Sequence, residues 1–534
     1  MKNLRIYLIT LLCTVISLPE STAAEWQWSV KIPGIVSNET NDHPQAFLWI
    51  PSDCVQVKGV MIGTHNMTEE TLFENALFRE KMSEIGLALI WITPGWDQKW
   101  DITAGSQKAF EQMLDDFASV SGYNELKYAP IVPFGHSAMA TYPWNFAAWN
   151  PDRTLAIISL HGDAPRTNLT GYGRDNMEWG KRTIDGIPGL MIEGEYEWWE
   201  DRVNPALAFR MMYPKSCVSF LCDTGRGHFD IADRTAGYIA LFLKKALEYR
   251  MPATYDLNKP VELKKLNPQN GWLAERWYPN QKKRAKAAPY KEYKGDSHDA
   301  FWYFDKEMAE MTEERYRRER GKKPQYLGFV QKGQLLTYNP KSHVKVAASF
   351  LPEKDGLTFH LKAVYTHTAI SDEHSLTPPE ITRICGPVQK VNDTTFTVRF
   401  YRMGMYNKRR TGDICLLAGN DGDKHYKSTV QELSFRIPYR NTEGKRQHIL
   451  FPGLDDVRKG TETISLHATS DCGLPVYYYV KEGPAEIEGN KLVFTRIPPR
   501  SKFPLKVTVV AWQYGLAGEV QTAESVERSF FIYQ

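Results

Sequence analysis

The sequence predicts an α/β protein, in which a mostly parallel sheet covered by helices is followed by β-rich domains. Between Trp26 and about Tyr249, short apolar runs alternate with amphipathic stretches, a pattern typical of strands and covering helices. From Tyr326 onward, short alternating strands with turn signals dominate, which is typical of β-sandwiches. The length of 534 residues fits roughly two to four domains.

The first region is predicted to contain an opening hairpin, six buried strands and three helices. The hairpin strands are Trp26–Ile35 and Gln45–Ile50. The buried strands are Gly59–His65, Leu87–Ile92, Ile131–Phe134, Leu155–Leu160, Gly189–Glu193 and Val218–Cys222. The helices span about Thr68–Ile85, Gly105–Ser119 and Thr235–Arg250, and Pro252 ends the last one.

Changes in composition give the domain boundaries. We expect the α/β domain at residues 25–252 and a polar, Lys/Pro-rich linker with one helical connector at residues 253–325. A β-sandwich is expected at residues 326–440 and a second β domain at residues 441–534. This last domain contains ATSDCGLPVYYYVKEGPAEIEGNKLVFT followed by LKVTVVA, and it resembles bacterial immunoglobulin-like modules.

The N-terminus predicts export. Lys2 and Arg5 precede a short apolar run, Ile6–Leu18, and Thr22-Ala23-Ala24 supplies the small residues at which a signal peptidase cuts. Residues 1–24 are therefore a predicted signal peptide, and the mature protein is expected in a periplasm or outside the cell. No later segment approaches about 20 consecutive apolar residues, so no transmembrane segment is predicted.

The net charge argues against one class of partner, and the cysteine spacing argues against one disulfide bond. The formal net charge of +3 argues against nucleic acid as the main partner, because such proteins usually carry a strongly basic face. Cys217 and Cys222 flank an apolar strand, and their odd separation directs them to opposite faces, so we predict no bond between them. CxxC and HExxH spacings are absent from the sequence, and neither a metal nor a cofactor is predicted. The acidic run at 420–424 is interpreted as a turn.

A candidate nucleophile lies where a buried strand turns into a helix. Gly135-His136-Ser137-Ala138-Met139 resembles the nucleophile elbow G-x-S-x-G of the α/β-hydrolase superfamily, whose sharp turn needs small neighbours around the serine. Gly135 and Ala138 meet that need, whereas Met139 departs from the small residue usual there.

The resemblance places the other two catalytic side chains downstream in the order serine, acid, histidine. The strand Gly189–Glu193 runs into GEYEWWEDR, where Glu197 is the expected acid, Glu195 the alternative and Asp163 a weaker one. The strand ending at Cys222 runs into DTGRGHFDI, which resembles the turn that presents the histidine, here His228.

These residues have complementary roles in ester hydrolysis. A serine hydroxyl is a weak nucleophile, so His228 must accept its proton while the acid fixes the imidazole. Two donors must stabilise the oxyanion. We expect the N–H of Ala138 and one donor from the loop after Gly59–His65, at His65, Asn66 or Met67.

The loops at the carboxyl ends of the strands, where ligands of open α/β sheets bind, are rich in Trp and Arg. Such side chains suit sugar rings and uronate carboxylates. The candidate substrate-binding residues are Trp96, Trp100, Trp198, Trp199, Arg166, Arg174 and Arg226. The alternative is that the arginines form ion pairs with nearby acids and that the tryptophans only pack.

The layout of the chain resembles that of secreted carbohydrate esterases of the pectin methylesterase type from glycan-degrading gut bacteria. In both, a signal peptide is followed by an α/β-hydrolase domain and then by β domains. This resemblance covers about the first 250 residues. It implies hydrolysis of methyl or acetyl esters on a plant, pectic polysaccharide or oligosaccharide, with hydroxycinnamoyl esters also open. A peptidase of the same fold and a non-catalytic glycan-binding protein are the competing hypotheses.

Overall fold

The computed structural model describes residues 26–96, 100–167, 177–197, 199–279, 281–366 and 373–534. Three regions organise it: an α/β unit (residues 26–325), a first β unit (residues 326–440) and a second β unit (residues 441–534). Among these described residues, no helix has both the length and the apolar character needed to cross a membrane.

An eight-stranded sheet forms the centre of the α/β unit. Its order is β1-β2-β4-β3-β5-β6-β7-β8, with β2 antiparallel to both β1 and β4 and every later pairing parallel. Strands β3 to β8 are buried along their whole length, as helices on both faces of a parallel sheet require. The strands are β1 (Trp28–Lys31), β2 (Gln45–Trp49), β3 (Gly59–Thr64), β4 (Leu87–Thr93), β5 (Ile131–His136), β6 (Ile157–Leu160), β7 (Pro188–Gly194) and β8 (Cys217–Asp223).

Helices cover this sheet, and one predicted helix is divided in two. The expected single helix from Thr68 to Ile85 is wrong, because Asn75 has an extended backbone and its side chain accepts from the Phe78 N–H at 2.8 Å, which begins a new helix. The helices are α1 (Thr68–Glu74), α2 (Ala76–Ile85), α3 (Ser106–Ser121), α4 (Tyr142–Trp149), α5 (Trp199–Met212) and α6 (Asp233–Arg250).

The region expected to be a linker is part of the α/β core. Leu273, Phe301 and Trp302 are almost fully buried, and the Tyr303 hydroxyl donates to the Phe220 carbonyl at 2.6 Å. The apolar residues of this region lie between Lys/Pro-rich turns, which hid them in the composition. Its elements are β9 (Trp272–Glu275), β10 (Ala288–Pro289), β11 (Ala300–Tyr303) and the expected helix, α7 (Lys306–Glu319).

Short strands make up the first β unit. Three sheets, β13-β12-β16, β14-β21-β20-β17 and β15-β19-β18, share a core that includes Phe359, Phe396 and Leu416. The strands are β12 (Leu327–Gln331), β13 (Gln334–Leu335), β14 (Val346–Ala347), β15 (Thr358–His360), β16 (Lys362–Tyr365), β17 (Glu380–Cys385), β18 (Val388–Lys390), β19 (Thr395–Val398), β20 (Asp413–Asn420) and β21 (Thr429–Arg436).

The second β unit has sheets β22-β25, β23-β30-β29-β26 and β24-β28-β27. It contacts the α/β unit through backbone hydrogen bonds, from the Gly483 N–H to the Trp26 carbonyl and from the Lys502 N–H to the Ser121 carbonyl, both 2.9 Å. Its strands are β22 (Ile449–Leu450), β23 (Val457–Arg458), β24 (Thr463–Ser465), β25 (Thr469–Ser470), β26 (Tyr477–Glu482), β27 (Ala485–Glu488), β28 (Lys491–Phe494), β29 (Leu505–Trp512) and β30 (Val526–Tyr533).

Cys217 and Cys222 lie near opposite ends of β8 and are not bonded to each other, as predicted.

Candidate active site

Ser137 occupies a strained turn at the end of β5. Its φ of 54° lies in the left-handed region that few non-glycine residues adopt. The turn is possible because Gly135 has no side chain, since a Cβ there would collide with the Met139 carbonyl oxygen. The serine is half-buried, so its hydroxyl stands at the carboxyl end of the central strand rather than inside the core.

The structure explains how Met139 fits where a small residue is usual. The Met139 side chain is buried against Gly95, in the loop after β4, where an added Cβ would come within 2.6 Å of the Met139 methyl carbon. The close approach between the elbow and β6 is made instead by Ala140, whose Cβ leaves room only for a glycine at position 162. Met139 is therefore accommodated by a glycine in a neighbouring loop.

Ser137, His228 and Glu197 come together although they follow three different strands. The His228 Nε2 lies 2.7 Å from the Ser137 Oγ. The His228 Nδ1–H donates to Glu197 Oε1 on its other side. This array has the geometry of a nucleophile, a base and a carboxylate that orients the base.

Glu195, the alternative acid, faces another set of partners. Its carboxylate accepts from Lys427 Nζ at 2.9 Å, from the Gly225 N–H at 2.8 Å and from Trp277 Nε1 at 3.2 Å. It thus binds the first β unit to the loop that carries His228. Asp163 lies 3.7 Å from Arg202 Nε and is not part of the array.

Burial dominates the electrostatics of the array. It lowers the pKa of His228 well below the ordinary value, and the nearby His161 and Arg202 act in the same direction. Burial also raises the pKa of Glu197, against the opposing influence of His161 and Arg202. The Arg202 Nη1 donates to Glu197 at 2.6 Å and to Glu193 at 2.9 Å, so this guanidinium supplies the charge that the buried carboxylates need.

Two further histidines hold the backbone of His228. The His136 Nε2–H donates to the His228 carbonyl at 2.8 Å, and the His161 Nδ1–H donates to the same oxygen. His136, His161 and His228 form a buried group with metal-ligand spacing within the described chain, but these two nitrogens are used to position the His228 main chain. The sequence analysis assigns no catalytic role to His136 or His161, and only the adjacency of His136 to Ser137 could have marked one of them.

The loop after β3, where one oxyanion donor is expected, uses its backbone N–H groups within the protein. The His65 N–H donates to the Ile92 carbonyl at 2.8 Å. The Asn66 and Met67 N–H groups donate to Glu69 Oε2 at 3.1 and 3.0 Å. The backbone N–H groups of all three candidate residues thus already have acceptors within the protein. The Asn66 side chain, in contrast, donates through Nδ2 to the carbonyl of His136, directly before the nucleophile, at 3.0 Å.

Glu69 is a positioning residue that the sequence analysis missed. Its second oxygen, Oε1, accepts from the His136 N–H at 2.8 Å, so one fully buried carboxylate joins the Asn66 loop to the strand that carries Ser137. Burial raises the pKa of Glu69 to about 7, although the backbone donors oppose the shift. An acid in the first turn of α1 was the available signal, because carboxylates often accept amide hydrogens at helix starts.

The first β unit contacts each loop of the site. Lys427 pairs with Glu195, which lies on the same loop as Glu197. Arg410 Nη1 donates to the Asn66 carbonyl, in the loop after β3, at 2.9 Å. Beside the His228 loop, a Cβ on Gly225 would collide with the Ser428 backbone. The arrangement of the candidate site therefore depends on residues more than 180 positions beyond His228 as well as on the α/β unit.

Several predicted substrate-binding residues have other roles. Trp100 is fully buried against Phe110 and Phe146, and its assignment to substrate is wrong because these rings enclose it. Arg226 is also buried and is wrong as a substrate ligand, because it donates to Asp230 at 3.1 Å and to Ser428 at 3.2 Å.

Two other candidates retain accessible surface. Trp96 is half-buried, and its ring centroid lies 6.0 Å from that of Trp100. Arg166 is exposed, donates to the Tyr213 hydroxyl and lies over the Trp179 ring at 5.6 Å. Trp198, Arg174 and the side chain of Trp199 lie outside the described residues.

Comparisons with known proteins gave structural neighbours but no sequence relative. No family model matches the chain, and no curated protein matches it. Est1E from Butyrivibrio proteoclasticus is similar over 41% of this chain and 99% of its own, at 14% identity and a TM-score of 0.29. The S-formylglutathione hydrolase FrmB from Staphylococcus aureus is similar over 41% and 98%, at 13% identity and a TM-score of 0.30. The siderophore hydrolase EstA from Aspergillus nidulans is similar over 42% and 97%, at 10% identity and a TM-score of 0.31.

The molecule's own features define its class. A mostly parallel sheet covered by helices, with a serine in a strained turn at a strand end and a histidine and a carboxylate on later loops, fits the α/β-hydrolase fold over the N-terminal part of the chain.

Proposed function

We propose that the protein is an exported serine carbohydrate esterase that hydrolyses methyl or acetyl esters on a plant, pectic polysaccharide or oligosaccharide. The observation that carries the proposal is the hydrogen-bonded array Ser137–His228–Glu197, with 2.7 Å between Ser137 Oγ and His228 Nε2. Such an array serves to activate a hydroxyl as a nucleophile.

The reaction proceeds through an acyl-enzyme. Ser137 Oγ attacks the ester carbonyl while His228 Nε2 takes its proton, and Glu197 stabilises the imidazolium through Nδ1–H. The tetrahedral intermediate collapses with proton transfer from His228 to the leaving alcohol. Water then enters, gives its proton to His228 and attacks the acyl group, which releases the acid and restores the Ser137 hydroxyl.

Asn66 supplies the second oxyanion donor through its side chain rather than its backbone. The loop amides are used by Glu69 and Ile92, whereas the Asn66 amide group lies at the His136 carbonyl, one residue before the nucleophile. One hydrogen of this NH₂ group bonds to that carbonyl, and the other makes a long contact of 3.5 Å with His136 Nδ1. When substrate binds, this second hydrogen turns to the oxyanion and stabilises it together with the Ala138 N–H.

The glycan part of the proposal is supported by the resemblance noted in the sequence and by the accessible Trp96 and Arg166 at the strand ends. An indole face suits a sugar ring and a guanidinium suits a uronate carboxylate. Export is supported by the signal-peptide pattern of residues 1–24. The two β units are proposed to be β-sandwiches, the second of the immunoglobulin-like kind.

The experiment compares wild type, Ser137→Ala and the matched control Ser119→Ala, which changes an exposed serine on α3. The substrates are p-nitrophenyl acetate, acetylated xylan and methyl-esterified pectin, with acid release measured at pH 7–8. We expect kcat to fall by about 10⁴-fold or more in Ser137→Ala only. Equal activity in all three proteins, or none on any ester, would contradict the proposal.

The two competing hypotheses predict different results. A peptidase would hydrolyse amide substrates faster than the glycan esters, with the same dependence on Ser137. A glycan-binding protein without activity would bind pectin but leave a fluorophosphonate probe unreacted. The hydrogen bond already present between Ser137 and His228 favours reaction with the probe.

A further inference from the structure

An exposed histidine from the first β unit lies beside the candidate base, in an edge-to-face arrangement of the two rings. The His343 ring centroid is 5.1 Å from that of His228 and 5.0 Å from that of Phe229. His343 remains exposed in this position. It is thus a polar group that stands beside the reacting histidine and is still accessible to a ligand.

The loop that carries His343 is held in shape by its own hydrogen bonds. The Lys345 Nζ donates to the Ser342 carbonyl at 2.6 Å and to the Pro340 carbonyl at 3.1 Å. The Asn339 N–H donates to the Lys345 carbonyl at 2.8 Å. The backbone position of His343 is therefore set by hydrogen bonds within the β unit.

A cavity of about 420 Å³ lies between the two units, and Val344, the residue that follows His343, is part of its lining. On one side it is lined by Asn66 and Met67, from the loop proposed to hold the oxyanion, and on the other by Val344 and Met403 of the first β unit. Arg410 adds a polar side chain. A mixture of apolar surface and hydrogen-bonding groups suits a sugar ring, which has apolar faces and a hydroxylated edge.

We propose that this cavity is a subsite for the sugar residues next to the esterified one, and that His343 is a specificity-determining residue at its mouth. The inference rests on the proposed esterase function and names the part of the molecule that recognises the glycan. The β unit then selects the substrate, while Ser137, His228 and Glu197 perform the reaction. A small ester without a sugar does not reach the subsite.

The test compares two substrates in the full-length protein. For p-nitrophenyl acetate we expect kcat/KM of His343→Ala to equal that of wild type. For a methyl-esterified galacturonic acid oligosaccharide we expect KM to rise about 3- to 10-fold, the size of one lost hydrogen bond, with kcat kept. His343→Gln retains a hydrogen-bonding tip and should recover part of the loss. His360→Ala, an exposed histidine on β15 of the same unit, is the matched control.

Four results would overturn the inference. An equal loss on both substrates would mean that His343 acts by orienting His228, and unchanged kinetics on the oligosaccharide would mean that it contacts no sugar. Calorimetry on Ser137→Ala gives a readout without turnover: an unchanged Kd in Ser137→Ala/His343→Ala, or no glycan binding at all, would also contradict it. Failure of the esterase proposal is recognised separately, by the absence of p-nitrophenyl acetate hydrolysis in the wild type.

Discussion

Glu197 and Glu195 stand two positions apart after β7, yet they serve different partners. The Glu197 carboxylate accepts from His228 Nδ1–H, whereas the Glu195 carboxylate accepts from Lys427 Nζ at 2.9 Å. One loop therefore combines a group that orients the candidate base with a group that binds another domain. This division makes the two glutamates a matched pair for mutagenesis.

Glu197→Gln is expected to lower kcat by about 10²- to 10⁴-fold, because the amide no longer stabilises the imidazolium and can favour the wrong tautomer. Glu195→Gln is expected to keep kcat within a few-fold but to lower the melting temperature, because Lys427 loses its buried counter-charge. The same pair of measurements, kcat on p-nitrophenyl acetate and thermal unfolding, serves both variants. The reverse pattern would assign the role of orienting acid to Glu195.

Asn66→Ala is expected to reduce kcat by about 10²- to 10³-fold with little change in KM, the usual effect of removing one oxyanion donor. Asn66→Asp should be at least as slow, since it places an acceptor where a donor is needed. On p-nitrophenyl acetate, which does not reach the proposed subsite, Met67→Ala in the same loop is the control, because that side chain packs against the apolar cluster around Phe229. Steady-state kinetics that leave kcat of Asn66→Ala unchanged would remove Asn66 from the proposed mechanism.

The pH dependence of kcat/KM is expected to reflect the protonation of Glu69. Its pKa of about 7 means that the carboxylate takes up a proton as the pH falls through neutrality. The neutral acid offers fewer acceptor sites to the His136, Asn66 and Met67 N–H groups, so kcat/KM should fall on the acid side of pH 7. Burial holds the pKa of His228 well below its ordinary value. The fall in kcat/KM caused by protonation of His228 should therefore occur at a lower pH. Glu69→Gln should lose the inflection near pH 7, and its persistence would assign it to another group.

The same group has a consequence for stability. Because the pKa of Glu69 is higher in the folded chain, at about 7, than its ordinary value of 4.5, the folded state binds the extra proton between pH 4.5 and about 7. The free energy of unfolding contributed by this group therefore falls as the pH rises through that interval and is constant above it. Thermal unfolding of wild type and Glu69→Gln across this range measures the difference in slope.

Gly135→Ala is expected to distort the nucleophile turn, because the added methyl group collides with the Met139 carbonyl oxygen. A loss of about 1–3 kcal/mol in the free energy of unfolding is typical of such overpacking, together with a large loss of esterase activity. Gly237→Ala, where the new methyl group meets no atom within 4 Å on helix α6, should instead be neutral or slightly stabilising. Denaturant unfolding of both variants checks the contrast, and equal stability of the two would contradict the steric argument.

Local sequence patterns could predict the strands and turns that depend mainly on neighbouring residues. Alternating apolar runs indicated the parallel sheet, and strand ends followed by glycine-rich turns indicated Ser137 and His228, which the structure brings together. Two glutamates on one loop left the acid open, because the path of the loop depends on Lys427, more than 200 residues away.

The wrong predictions also concern features that depend on tertiary contacts. Trp100 and Arg226 were expected at the surface, but packing against Phe146 and pairing with Asp230 bury them. His343 carried no sequence signal, since only the tertiary contact between units places it beside His228.

The buried pair between Lys427 and Glu195 has a practical consequence for anyone who wishes to shorten this enzyme. A chain ended after α7 would keep every residue of the proposed reaction, but Glu195 would lie beside Trp277 without its cation, a situation that typically destabilises a protein by about 3–5 kcal/mol. The smallest working unit is therefore expected to end beyond β21. Transplanting new specificity into this scaffold would require exchanging the first β unit and the loops it contacts as one block.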